Sequence, residues 1–227
     1  MPASYGRCQR LTSLIRVKVE IFSDIACPFC YIGTRQFAEA LEAFPEDEVE
    51  VVWRSFQLDP EAPRRAEGDL LDHLTRKFGI SRDEARAMND RVISMGHGAG
   101  VEFDFENARA VNTFDAHRML KLAAEQGLDG ALADLFFEAY FTGSADLSDR
   151  ADLARLASEA GVDPGRAAEV ADGEEFATEV RAEQELAGML GITAVPTFVF
   201  DRSTALSGAQ PVELMSRAIG QAISPAS

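Results

Sequence analysis

Strand-forming sequence lies near both ends of this chain, and a long helical stretch separates the two. Val17 to Phe22 is apolar and β-branched, and Val49 to Trp53 repeats that character. A third such run, Thr197 to Asp201, comes only near the end, with Ala205 and Leu206 following a turn at Arg202-Ser203. From about residue 66 to 190 the hydrophobic period is helical. A helical bundle cannot supply strands at opposite ends of one chain. The order strand, helix, strand, helical block, strand, strand, helix calls for an α/β domain whose two halves close around an inserted α-helical domain. The expected divisions are a flexible leader at 1–14, the first half of the α/β domain at 15–65, the helical insert at 66–185 and the second half at 186–227.

Local signals place the elements within that frame. Tyr31 to Phe44 is amphipathic and is expected to end at Pro45. In the insert, Asp69 to Phe78 reads as one helix, and Ser81 with Glu84 forms a capping box that opens the next. The run Gly96-His97-Gly98-Ala99-Gly100 is expected to break it. Asn112 to Gln126, Asp129 to Phe141, Ser148 to Ala160 and Glu174 to Leu190 are further helices, and Asp163-Pro164 pairs an N-cap with proline at the first helical position. Pro211 to Ala222 closes the chain as a helix.

The chemistry concentrates where the first strand hands over to the first helix, at Cys27-Pro28-Phe29-Cys30. Two cysteines two residues apart in that position form a redox dithiol arrangement. A helix N-terminus presents unpaired N–H groups and the positive end of the helix dipole, and both stabilise a thiolate. The thiolate is the form that attacks disulfides, so Cys27 is the expected nucleophile. Cys30, one turn further in, is placed to close a disulfide with Cys27 or to resolve a mixed disulfide with substrate. Pro28 suits the first turn, where its missing N–H has no helical partner to lose. A structural zinc site would need four ligands. The remaining candidates are Cys8, His73, His97 and His117, all isolated, so no metal is expected. Two inert buried cysteines are the other bland reading, and the strand-to-helix position argues against it.

With 22 Lys+Arg against 38 Asp+Glu the formal net charge is −16, and no basic cluster interrupts it. Such a surface repels phosphate backbones and anionic membranes, so nucleic acid and membrane are not expected partners. Three cysteines in 227 residues do not make a disulfide scaffold. No apolar stretch reaches membrane-spanning length, and Leu11 to Ile15 is too short and too interrupted for a signal peptide. The expected location is cytoplasmic, where a vicinal dithiol is catalytic or redox-sensing rather than structural. Cys8, in the leader, is expected to be a bystander.

The motifs also carry a resemblance. Ser23 through Gly33, with Cys27-Pro28-Phe29-Cys30 at its centre, resembles the active-site segment of the DsbA-like thioredoxin-fold oxidoreductases, especially the FrnE branch. Asn112-Thr113 with Ala116-His117-Arg118, Ala194 to Val199, and Ser207 to Gln210 resemble three further motifs of that branch, in the same order. The resemblance implies a thioredoxin-like fold with an inserted α-helical domain and thiol–disulfide chemistry at Cys27 and Cys30. It implies a cis Val195–Pro196 bond beside them, whose backbone would pair with an extended substrate segment. The implied activity is disulfide oxidation, reduction or isomerisation on disulfide- or thiol-containing proteins. Glutathione or a thioredoxin-type reductant is the implied redox partner, no cofactor is needed beyond the dithiol itself, and dimerisation stays open. Some members carry a further cysteine pair near the C-terminus, whereas this chain has no cysteine after Cys30. Rival readings are a glutathione-dependent isomerase or transferase on the same fold, whose members carry serine where Cys27 stands, and a non-enzymatic redox-sensing binding module.

Other polar residues are less distinctive. Thioredoxin-like sites often keep a buried carboxylate six residues before the first cysteine, and here that position is Ile21. Asp24 reads as active-site support or as an Asx-type turn. Glu20 is expected to face solvent or the helical domain. Asn112, His117 and Arg118 are candidates for a substrate groove, against a purely structural role. Phe29 is expected to be exposed and to contact substrate. Phe103, Phe105, Phe114, Phe136, Phe137 and Phe141 are core material, with some of them candidates to line an apolar groove between the domains.

Overall fold

A computed structural model describes residues 16–224. The leader expected at 1–14, with Cys8, lies outside the described residues. Strand β1 (Val17–Ser23), helix α1 (Pro28–Leu41) and strand β2 (Val49–Ser55) open the α/β domain. The two strands run parallel in the register Val17↔Val49 through Ser23↔Ser55. Seven helices follow among the described residues: α2 (Leu70–Phe78), α3 (Arg82–Gly98), α4 (Phe114–Ala124), α5 (Asp129–Thr142), α6 (Arg150–Glu159), α7 (Pro164–Asp172) and α8 (Ala177–Met189). The chain then returns as β3 (Thr197–Phe200), β4 (Thr204–Ser207) and α9 (Val212–Ile223). Strand β3 lies antiparallel against β1 with Ile21 opposite Phe198, giving the sheet order β2-β1-β3-β4.

Strand alternation divides the core in two. Val17, Val19 and Ile21 join Phe198 and Phe200 on one face of the sheet, under Phe37 and Ala40 of α1 and Met215 and Ile219 of α9. Phe22 points to the other face and into the core shared with the helical insert. Tyr31, from α1, belongs to this second core: its ring stacks on Phe137 with centroids 5.1 Å apart and meets Phe103 edge-on.

Several local expectations shift. Helix α1 stops at Leu41, ahead of Pro45. The glycine run does not break α3, which continues through Gly98. Gly96 serves packing instead: a Cβ there would collide with the Phe103 ring, so its absence lets the chain fold back onto the helix. The turn comes at Gly100, in the left-handed region at φ 66°. The capping box at Ser81 and Glu84 is formed, and a second one at Asp69 and Asp72 opens α2.

Glu20 does not face solvent. It is buried on the helical-insert side of the sheet, where its carboxylate accepts from Arg54 at 2.8 Å and from Arg202 at 2.8 Å. Arg54 also reaches Glu183 of α8 at 2.8 Å, and Glu183 accepts from the Ser55 N–H at 2.7 Å and pairs with Lys121 of α4. This ionic cluster fastens the insert to the sheet. Among the described residues, no helix is long and apolar enough to cross a membrane.

Candidate active site

Cys27 is the N-cap of α1, with extended backbone (φ −98°, ψ 112°) and Pro28 directly after it. No side chain caps this helix. The Cys27 carbonyl accepts from the Cys30 and Tyr31 N–H groups at 3.0 and 3.3 Å, which winds the motif into the first turn. Both thiols are free. Cys27 is 4% exposed and Cys30 is fully buried behind it. Burial pushes the Cys30 thiol well above its ordinary range, and the neighbouring Cys27 adds to the effect. The Ser23 hydroxyl and the Asp24 N–H pull the other way without offsetting it. The pair therefore divides into one reachable sulfur and one concealed sulfur that stays protonated until called upon.

The Val195–Pro196 bond is cis. The Cys27 Sγ–H donates to the Val195 carbonyl at 3.6 Å. Pro196 packs on α1 so closely that a Cβ at Gly33 would stand 2.9 Å from its ring. Its carbonyl accepts from the Gly208 N–H at 2.7 Å, which ties the Ser207 to Gln210 segment to this loop. Two segments that resembled family motifs thus meet on the third, at the dithiol.

Asp24 is both a turn residue and part of an ion pair. One oxygen accepts weakly from the Ala26 N–H at 3.3 Å, the other from the Leu58 N–H at 2.8 Å, and His117 Nε2 stands 3.6 Å away. Burial alone would raise its pKa, but His117, the Leu58 N–H and Thr113 together hold the carboxyl below the usual carboxylate range.

A cavity of about 470 Å³ opens beside Cys27 between the two domains. Its exposed apolar members are Phe29, Leu58, Phe78, Met88 and Met95, and Tyr140 of α5 closes its inner end beside Cys27 and Asp24. Lys77 and Arg91 stand among the lining residues, Lys77 near Asp59 at 3.9 Å. Phe29 is 41% exposed, in keeping with its position in the motif.

The other sequence candidates lie elsewhere. Arg118 is buried and donates to the carbonyls of Val170, Gly173 and Glu175, so it caps the end of α7 and does not touch the groove. Asn112 donates to the carbonyls of Pro60 and Ala62 and accepts from Gln57 and the Phe114 N–H, which braces the groove wall from behind. His117 is buried under Asp24. Phe103, Phe105, Phe136, Phe137 and Phe141 are core, and Phe114 lies under Arg181, so none of these aromatics lines the groove. The groove residues that the sequence reading missed had a signal of sorts. Met88, Val92 and Met95 repeat at helical spacing, a stripe that could face either core or cleft. Tyr140 had none. Among the described residues, no three His, Cys, Asp or Glu side chains converge as metal ligands.

Comparison with known proteins agrees with this architecture. Residues 18–220 match the DSBA-like thioredoxin domain. A probable DsbA oxidoreductase from Streptomyces coelicolor is 41% identical and superposes with a TM-score of 0.86, over 93% of this chain and 92% of that one. A 2-hydroxychromene-2-carboxylate isomerase gives a TM-score of 0.66 at 12% identity, over 90% and 95% of the two chains. The cytosolic disulfide reductase DsbM from Pseudomonas aeruginosa, in a structure with glutathione, gives 0.62 at 19% identity over 90% and 98%. The last two likenesses concern the fold alone. Matched along nearly all of its described length and at high identity to one solved member, the chain belongs to the DsbA-like thioredoxin domain family.

Proposed function

We propose that this protein is a cytoplasmic thiol–disulfide oxidoreductase of the FrnE-like branch, working through the Cys27–Cys30 dithiol. The observation that carries the reading is the asymmetry of the two sulfurs: Cys27 at a helix N-terminus on the edge of an apolar groove, Cys30 buried directly behind it. The Cys27 thiolate attacks a substrate disulfide, one substrate sulfur leaves as thiolate, and a mixed disulfide forms. Cys30 then attacks Cys27, releasing the second substrate thiolate and leaving the protein oxidised. Run backwards, the same steps oxidise a substrate dithiol, and the redox potential of the partner decides the direction.

The groove favours apolar, extended segments of protein substrates, laid against Phe29, Phe78, Met88 and Met95, with the Val195 backbone alongside. Lys77 and Arg91 would receive a carboxylate such as those of glutathione, the molecule present in the DsbM structure. The retained Cys27 speaks for disulfide exchange over a glutathione-dependent isomerase.

Insulin reduction with dithiothreitol, together with thiol trapping across a glutathione redox series, tests the proposal. Catalysis is expected in the wild type, its loss in Cys27→Ser, and a trapped mixed disulfide in Cys30→Ser. A wild type whose two cysteines never form a disulfide would overturn it and leave the isomerase or a binding module.

A further inference from the structure

Beneath the dithiol, three polar groups face one small space. Ser23 Oγ at the end of β1, Ser55 Oγ at the end of β2 and His117 Nε2 on α4 are each buried, and none has a well-formed hydrogen bond to another protein atom. Ser23 and Ser55 are register partners in the parallel ladder, so their side chains leave the sheet on the same face. All three residues line a cavity with about 10 Å³ of room for a water centre, walled otherwise by Ile25, Trp53, Leu120, Arg54 and Lys121. A single water requires roughly 10–15 Å³ and two to four polar partners. The space and its polar groups match that requirement, and an apolar occupant would leave all three groups unsatisfied.

We propose that this cavity holds one water, bound by Ser23, Ser55 and His117, and that the water exchanges the proton of Cys30 during disulfide closure. This deepens the oxidoreductase reading above and rests on it. The strand itself offers no carboxylate for this step at Ile21, six residues before Cys27. Ser23 links the cluster to Cys30, since its hydroxyl opposes the rise that burial imposes on that thiol. In the closure step the Cys30 S–H bond breaks and its proton passes through the Ser23 hydroxyl to the water and on to His117 Nε2. The freed electron pair on Cys30 forms the Cys27–Cys30 bond. The bond from Cys27 to substrate breaks, and its pair leaves on the substrate sulfur. The substrate is thereby reduced and the dithiol oxidised. Opening of the oxidised protein returns the proton by the same route. Asp24, 3.6 Å from His117 Nε2, balances the charge that His117 takes on.

The charged and titratable groups around this relay are Asp24 before α1, Cys27 and Cys30 on it, Arg54 on β2, Lys121 on α4, Tyr140 on α5 and Glu183 on α8. Arg54, held by Glu20 and Glu183, and Lys121, held by Glu183, are cations with no lone pair to offer, which leaves His117 as the acceptor on the cavity wall.

Reaction of the reduced protein with Ellman's disulfide separates the steps. The first coloured thiolate reports attack by Cys27, and the second reports closure by Cys30. In the double variant Ser23→Ala/Ser55→Ala, and in His117→Gln, the second release is expected to slow by about 100-fold, the lower range for positioned proton transfer. Its pH profile should move while the first release keeps the wild-type rate in the serine double variant. Ser23→Thr, which keeps the hydroxyl, should recover the closure rate. If His117→Gln fails to fold, the serine variants carry the test, because they remove only two hydroxyls. Wild-type closure kinetics and pH profile in the serine double variant would overturn the relay, as would a crystal structure showing the cavity dry. A wild type that releases no second thiolate would instead overturn the oxidoreductase reading itself.

Discussion

Two buried polar regions lie within a few residues of one another on β1 and β2, and they are built on opposite plans. In the first, Glu20, Arg54, Arg202, Glu183 and Lys121 join β1, β2, the β3–β4 turn, α8 and α4, and the carboxylates are met by hydrogen bonds or ion pairs on several sides. In the second, at the ends of the same two strands, Ser23 Oγ, Ser55 Oγ and His117 Nε2 are buried without a well-formed hydrogen bond to the protein. A completed network in a low-dielectric interior holds one arrangement and resists change. An incomplete one beside a reactive thiol leaves donors and acceptors free to take up a proton. The ionic cluster is thus a fastener between domains, and the dithiol end is a place kept open for chemistry.

The sharpest way to break that contrast is to remove the reactive sulfur. Cys27→Ser should abolish insulin reduction altogether while leaving the thermal unfolding temperature near wild type. A cysteine whose loss mainly unfolded the protein would belong with the structural region instead. Glu183→Gln should do the reverse. It leaves Lys121 without its carboxylate partner, while Arg54 keeps Glu20, and should cost roughly 3–5 kcal/mol in denaturant unfolding, with turnover per folded molecule preserved.

Gly33→Ala tests the join between the regions. The added Cβ meets the Pro196 ring at 2.9 Å and the Ala209 Cα at 3.3 Å. Such overpacking costs about 1–3 kcal/mol, and because Pro196 sits beside Cys27 the variant should also lose activity, measured as kcat on insulin.

Acid should loosen the fastener by a smaller amount. The Arg202 hydrogen bond, opposed by burial and aided by Arg54, lowers Glu20 to about 2 from an ordinary 4.5. A carboxyl depressed on folding stabilises the fold above its unfolded pKa. That stability is lost as the pH falls from about 4.5 to 2. Denaturant midpoints across this window should decline in the wild type and decline less in Glu20→Gln. The slope is softened because Arg202 is solvent-exposed and screened. The smallest expected effect is in the groove: Met95→Ala should raise KM for an apolar peptide disulfide by about fivefold, near 1 kcal/mol of lost apolar contact, at unchanged kcat.

Much of this molecule could be read one residue at a time. The strands around Val19, Val51 and Phe198, the capping box at Ser81, and the order of the helices all follow from side-chain period and from turn chemistry within a few residues. The place of Cys27 and Cys30 at the start of α1 was legible for the same reason, since strand, proline and helix are contiguous there. What remained hidden depends on neighbours far apart in the chain. His117 and Arg118 looked like groove residues by motif, yet one turned beneath Asp24 and the other to the end of α7. Phe103 and Phe141 are core as their sequence suggested, but that Met88 and Met95 take the groove was hidden, because helix packing decides which apolar face is covered. The partners of Glu20, and the pairing of Ser23 with Ser55 under the dithiol, required the sheet to bring separate strands into register and α4 and α8 to lie across it. Local backbone preferences are determined by adjacent residues and so are written in the sequence. Burial, ion pairing and orphaned polar groups exist only once distant segments have excluded the water between them, and that the tertiary structure alone decided.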